Sequence, residues 1–195
     1  MAIRLELVTW IIDAAKWHGG KMAFVKLELV SIPNEINGVA IEFAGSVNRQ
    51  VTRKMLAAMN QSISSNINGN TVEKLWVSSA KDSHNCPSRH VSGNGVDISR
   101  VNGKYISVHY RTDETVRGIV DGLQNKFESA DHRRENYGPT IKKKEGVDRS
   151  VPGHADHFHW SVNGDHSVCS YAFIANIRFY WNKLFGKKED EICDI

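Results

Sequence analysis

Few cysteines, no long apolar run and no internal repeat mark this chain, and each shortage removes a class of protein. Its three cysteines, Cys86, Cys169 and Cys193, are an odd number and predict no disulfide framework. Nowhere do about 18 apolar residues run uninterrupted, so a spanning helix is not expected. Residues 168–185 come nearest, but Arg178, Asn182 and Lys183 interrupt them. There Tyr171, Ile174, Ile177, Trp181, Leu184 and Phe185 recur at helical spacing, which predicts a C-terminal helix packed on the domain, with a membrane or partner surface as the alternative. At the N-terminus, Arg4 and Glu6 stand where the apolar core of a secretory signal would run. The expectation is a protein made in the cytoplasm without a signal peptide. No Arg/aromatic stripe of the kind that tracks nucleic acid is present, so no nucleic-acid partner is expected. The net charge of +3 is mild.

What the chain does have is a set of metal-ligand side chains at telling intervals. His90 and Asp97 lie in Ser88-Arg89-His90-Val91-Ser92-Gly93-Asn94-Gly95-Val96-Asp97, and far downstream comes His154-Ala155-Asp156-His157-Phe158-His159-Trp160. Imidazole nitrogens and a carboxylate oxygen are what an open zinc site uses, three protein ligands with water in the fourth position. Such a water becomes a nucleophile near neutral pH if a base stands beside it. Asp156 and His157 are spare groups in the right place, and the chain therefore argues for a metal-dependent hydrolase. From His157 to Val162 polar and apolar residues alternate as in a half-buried strand. That sends His157 and His159 to one face and Phe158, Trp160 and Val162 to the other. Upstream, Gly93 and Gly95 permit a tight turn between His90 and a short strand at 96–98.

Organisation along the chain follows from the same patterning. A chain of 195 residues suits one domain with an extension. Residues 1–44 read as an N-terminal extension packed on the catalytic domain, 45–185 as that domain, and 186–195 as a charged tail. Residues 3–17 predict a helix stopped by Gly19-Gly20; 22–44, broken by Pro33 and Gly38, predict strands or irregular structure. A helix is expected over 47–65, a turn at 66–70 and a strand at 72–79. Two short strands should follow around Asn102-Gly103, a hairpin signal, and then a helix over 115–127. Residues 131–153 read as polar and loop-like, with Lys142, Lys143 and Lys144 on a solvated stretch. Asn136-Tyr137-Gly138-Pro139 reads first as a turn and second as a cleft segment. His84 and Cys86 are placed near the site, with ligand roles as the weaker alternative.

The pattern His-x6-Asp followed by His-x-His resembles the LAS metallopeptidases, which include lysostaphin-type enzymes, D-alanyl-D-alanine peptidases and hedgehog signalling domains. Ser88-x-His90-x-x-Gly93-x-x-x-Asp97 looks like the first motif of the D-alanyl-D-alanine carboxypeptidase and L-alanyl-D-glutamate endopeptidase branch. His154-x-x-His157-x-His159 is similar to a stretch of penicillin-insensitive murein endopeptidases. The resemblance covers roughly residues 45–165 and implies one Zn²⁺ held by His90, Asp97 and His159. It also implies an α+β fold: a small antiparallel sheet carrying the ligands, with helices packed mainly on one side. Asp156 sits where that branch keeps its acid, but His157-Phe158 replaces its Pro-Trp, which leaves the proton carrier divided between Asp156 and His157. In place of the branch's strand arginine stands only Lys81, a point charge without a fork. His154, Ser88, Arg89 and Lys81 are expected to touch substrate or to support the ligands. The implied substrate is a peptide of the peptidoglycan stem or cross-bridge, reached by lysis, injection or nonstandard export, with a delivery apparatus or immunity protein as a further partner. Two rivals stand beside it: a zinc-stabilised binding module without catalysis, and a metal-dependent nuclease suggested by Asp156-His157 with Asn163 and His166.

Overall fold

The computed structural model describes residues 28–82 and 84–164, with the backbone of Ala14–His18 and Lys21–Val25. The chain forms two units, one of Met1–Leu27 with His166–Ile195 and one of Glu28–Asp165. In the first, β1 (Ala14–His18) and β2 (Lys21–Val25) pair antiparallel, His18 opposite Lys21. The helix expected over 3–17 is thus a strand in its last part. The remainder of that helix, the helix expected over 168–185, and the tail lie outside the described residues.

The second unit is α+β, mostly sheet with few helices. In chain order it contains β3 (Leu29–Ser31), β4 (Glu35–Ile36), β5 (Val39–Phe43), β6 (Gln50–Thr52), α1 (Arg53–Ser62), β7 (Asn66–Ile67), β8 (Asn70–Thr71) and β9 (Lys74–Ser79). A single 3-10 turn, His90–Ser92, leads into β10 (Gly95–Val101), β11 (Lys104–Tyr105), α2 (Ile106–His109) and α3 (Glu114–Phe127). β12 (Arg133–Tyr137), β13 (Lys142–Lys144), β14 (Val147–Asp148) and β15 (Phe158–Val162) follow. The main sheet has nine strands in the order β14-β13-β12-β15-β10-β9-β5-β4, with β11 on β10. Its pairs are antiparallel except β5 with β9. Residues 28–44 fall in this second unit, where β5 lies against β9 in the same sheet. Among the described residues no helix is long and apolar enough to cross a membrane.

Local chemistry sets the helix starts. Met55 N–H donates to Thr52 Oγ1 at 3.3 Å, and residues 50–52 are taken up by pairing with β3, so α1 begins at Arg53 rather than near 47. Asp113 caps α3 by accepting from Thr115 and Val116 at 3.0 and 3.2 Å. The polar segment 131–153 holds three strands, not a loop. Their reversal uses Glu145 and Gly146, both at positive φ (54° and 81°), and the lysine run is β13 itself.

Period-2 alternation then builds the site and the core back to back. Asp97 lies directly opposite His159, Val96 opposite Trp160 and Ile98 opposite Phe158. Val96, Ile98, Phe158 and Trp160 are fully buried. On that face Phe127 of α3 stacks on Trp160, centroids 4.7 Å apart and planes 4° from parallel. Such a pair adds about 0.5–1.5 kcal/mol beyond its burial. A one-residue slip of β10 or β15 would push the ligands into this apolar layer, so the core enforces the register.

Candidate metal centre

His90, Asp97 and His159 come together as a group that could hold a metal ion, each offering one donor atom. His90 Nε2 lies 3.2 Å from His159 Nδ1 and 3.3 Å from Asp97 Oδ1, while His159 Nδ1 lies 2.7 Å from Asp97 Oδ1. Nitrogen and oxygen donors about 2.1 Å from a tetrahedral ion stand roughly 3.4 Å apart. Two edges of the triangle match that spacing. The short third edge is a hydrogen bond whose proton a metal would displace.

Each ligand is aimed by what lies behind it. His90 Nδ1 is 2.7 Å from the Ala80 carbonyl, which can only accept. The ring therefore donates from Nδ1 and turns Nε2 toward the site. His84 stacks on the ring of His90 at 4.5 Å, so it acts as a backing rather than a ligand. The turn carrying His90 is fastened to α1: Thr52 Oγ1 donates to Asn94 Oδ1 at 2.8 Å and Thr52 N–H to the Gly93 carbonyl at 2.9 Å. Gly93 has φ 70°, as the turn reading requires. Gly95 is needed for another reason. A Cβ there would stand 3.2 Å from His159 Cε1 and 3.3 Å from Arg89 Cβ, crowding a ligand and a cleft wall.

Burial alone would raise the Asp97 carboxyl, but hydrogen bonds from His159 and His90 overcome it and hold the group well below the usual carboxylate range. Burial would likewise lower His159, yet Asp97 and Glu135 push it up to about 9.

Beside the triangle, His157 Nδ1 lies 2.8 Å from Asp156 Oδ1 and its Nε2 lies 4.0 Å from Asp97 Oδ1. The carboxylate fixes the ring so that the other nitrogen faces the site. Asp156 is exposed, and the bond from His157 lowers its pKa. His154 packs its ring edge-on to Tyr137 and 5.0 Å from that of His157. Its pKa is lowered by burial first and then by the charges of His157 and His159.

His90, Asp97, His154, His157 and His159 line one cleft of about 600 Å³, with Ser88, Arg89, Glu135 and Tyr137 among its walls. Lys81 lines a separate depression with Ser46, Asn48 and Asp82. Just past β9 the chain turns away, Ala80 N–H donating to Asp82 Oδ2 and Lys81 N–H to the Asn48 carbonyl. Among the described residues Arg89 is the one arginine or lysine on the cleft wall. Its pKa falls to about 10, through burial first and then the charge of Arg134.

Sequence reading missed Glu135. Its Oε2 accepts from Ser161 Oγ at 2.8 Å and lies 3.8 Å from His159 Nε2. Burial would raise its pKa, but His159, Ser161 and Arg134 bring it down to about 2. It escaped notice because β12 is polar and carries no apolar alternation. The preference for a plain turn at 136–139 is also corrected. Tyr137 ends β12 opposite His159 and faces the cleft, and Asn136 is buried against Gln124 and Glu128. Cys86 is disulfide-bonded, which an odd cysteine count neither predicts nor forbids.

No family model, curated protein or solved structure compared with this chain matches it.

Proposed function

We propose that this protein is a zinc-dependent peptidase that hydrolyses a peptide bond in the peptidoglycan stem or cross-bridge. The observation that carries the reading is His157, held by Asp156 from behind and placed beside three convergent metal donors on the wall of one open cleft. A purely structural metal site is closed by four protein ligands and needs no proton carrier. His90, Asp97 and His159 would hold the ion. When bound, zinc supplies Lewis acidity toward a carbonyl and acidifies a water. His157 Nε2 takes a proton on the site side and returns it to the leaving amine, while Asp156 holds Nδ1 and steadies the imidazolium. Glu135 backs His159 from the Nε2 side, so Nδ1 stays turned inward.

The choice of a peptidoglycan peptide rests on the motif resemblance, and the same reading takes the fold as a hedgehog or D-alanyl-D-alanine peptidase type with helices mainly on one side of the sheet. The disulfide at Cys86 suits an oxidising compartment outside the cytoplasm, where the wall lies. Purified peptidoglycan and plasmid DNA, each incubated with the protein with and without chelator, test the proposal. Chelator-sensitive release of defined muropeptides with intact DNA is the expected result. Intact wall across several divalent metals, with the ion still bound, would overturn it in favour of a binding module.

A further inference from the structure

Arg89 is buried, 7% exposed, yet its Nε and Nη1 have no hydrogen-bond partner among the described residues. An unpaired buried guanidinium is costly, and buried charges in folded proteins are almost always matched. The neighbouring cations show the contrast. Arg134 Nη1 lies 3.2 Å from Glu135 Oε1, and Lys144 Nζ lies 3.5 Å from the same oxygen. Both share the one Glu135 oxygen; Arg89 feels the charges of Glu135 and Glu145, but among the described residues its Nε and Nη1 are hydrogen-bonded to neither. The side chain is held on the cleft wall by its stem, which packs where Gly95 leaves room, and by its backbone carbonyl, which accepts from Asn94 N–H at 3.0 Å and Ser92 Oγ at 3.2 Å. It directly precedes His90 and lines the same cleft as the three metal donors. The acceptor that fits is a planar anion, because the guanidinium fork pairs with a carboxylate through two parallel hydrogen bonds.

We propose that Arg89 is the specificity residue of this cleft and receives a carboxylate of the peptide substrate next to the scissile bond. This rests on the peptidase reading above. The carboxylate is either a chain terminus or an acidic side chain, and stem peptides carry both.

The test uses the full chain and synthetic stem peptides in which each carboxylate in turn is converted to its amide. In the native protein one amide should lower kcat/KM by about 10²-fold or more, since a site built for a polar partner rejects the analogue lacking it. Which amide does so identifies the source. In Arg89→Gln, cleavage of the free-acid peptide should fall by a similar factor, while that one amide should be cut equally by both proteins. Arg89→Lys, which keeps charge without the fork, should recover only part of the loss. A merely structural role would instead slow every peptide alike and lower the melting temperature. Uniform slowing, or discrimination that survives in Arg89→Gln, overturns the proposal. If no peptide is cut by the native protein, the peptidase reading has failed. Calorimetric binding of the same acids and amides then decides about Arg89, and equal affinities for Arg89→Gln and native protein sink it.

Discussion

The two halves of this site are built in opposite ways. The half that could hold a metal ion sits on β10 and β15, where Asp97 and His159 face each other across a paired register with a sealed apolar layer behind. The half proposed to carry the proton, Asp156 and His157, lies between β14 and β15, outside both strands, with Asp156 exposed and His157 half-buried. The difference follows from the two tasks. Converging three donors on one ion demands that backbone and rotamers be fixed before the ion arrives, and a strand pair over a packed core does this. Moving a proton demands access to water and substrate, which a loop permits. Substitutions in the first half should therefore cost the metal, whereas those in the second should cost only turnover.

The largest effect is expected at His159. His159→Ala should reduce zinc from about one per chain to near zero and abolish hydrolysis, because two remaining donors hold an ion poorly. Elemental analysis after gel filtration checks it; a full zinc complement would remove His159 from the ligand set. His157→Ala should keep its zinc and lose about 10²–10⁴-fold in kcat, the usual worth of a positioned proton carrier. If His157→Ala turns over normally and Asp156→Ala is dead, the proton role passes to Asp156 and the division of labour proposed here is wrong. With His157 in place, Asp156→Asn should be milder, roughly 10–100-fold, since it removes an orienting partner rather than the proton carrier.

The same contrast explains what the sequence disclosed. The convergence of His90, Asp97 and His159 was legible because period-2 alternation at 158–162 and the turn glycines near His90 are local signals, and both survive in the structure. The N-cap at Thr52 lay within a helix expected from 47, because pairing of residues 50–52 with β3 is a long-range fact that no window of sequence contains. The strands of 133–148 stayed hidden for a related reason. Their half-buried lysines and arginines pack by ion pairs, such as Arg134 with Glu135 and Lys144 with Glu135, instead of by apolar alternation. Glu135 vanished with them. Lys81 was misplaced because the chain leaves the site one residue past Ala80, a bend set by Asp82 side-chain bonds rather than by any turn signature.

The smallest expected effect is one proton, and it belongs to the rigid half. In the metal-free protein His159 is raised from its ordinary value to about 9, so it is cationic at neutral pH and must give up that proton to bind an ion through Nδ1. The sign is fixed. A raised imidazole stabilises the metal-free fold fully below its unfolded value of about 6.5, and that contribution fades as pH climbs toward 9. Zinc affinity should move the other way, rising about tenfold per pH unit between roughly 7 and 9 and flattening above. Titration of apo-protein with zinc in a weakly buffered indicator at pH 7.5 should release about one proton per ion, and almost none well above pH 9. Replacing Glu135 by Gln removes one of the two carboxylates that hold His159 cationic, so proton release at pH 7.5 should fall while zinc still binds. Unchanged release in Glu135→Gln would mean that Asp97 alone sets the charge of His159 and that Glu135 serves only Ser161.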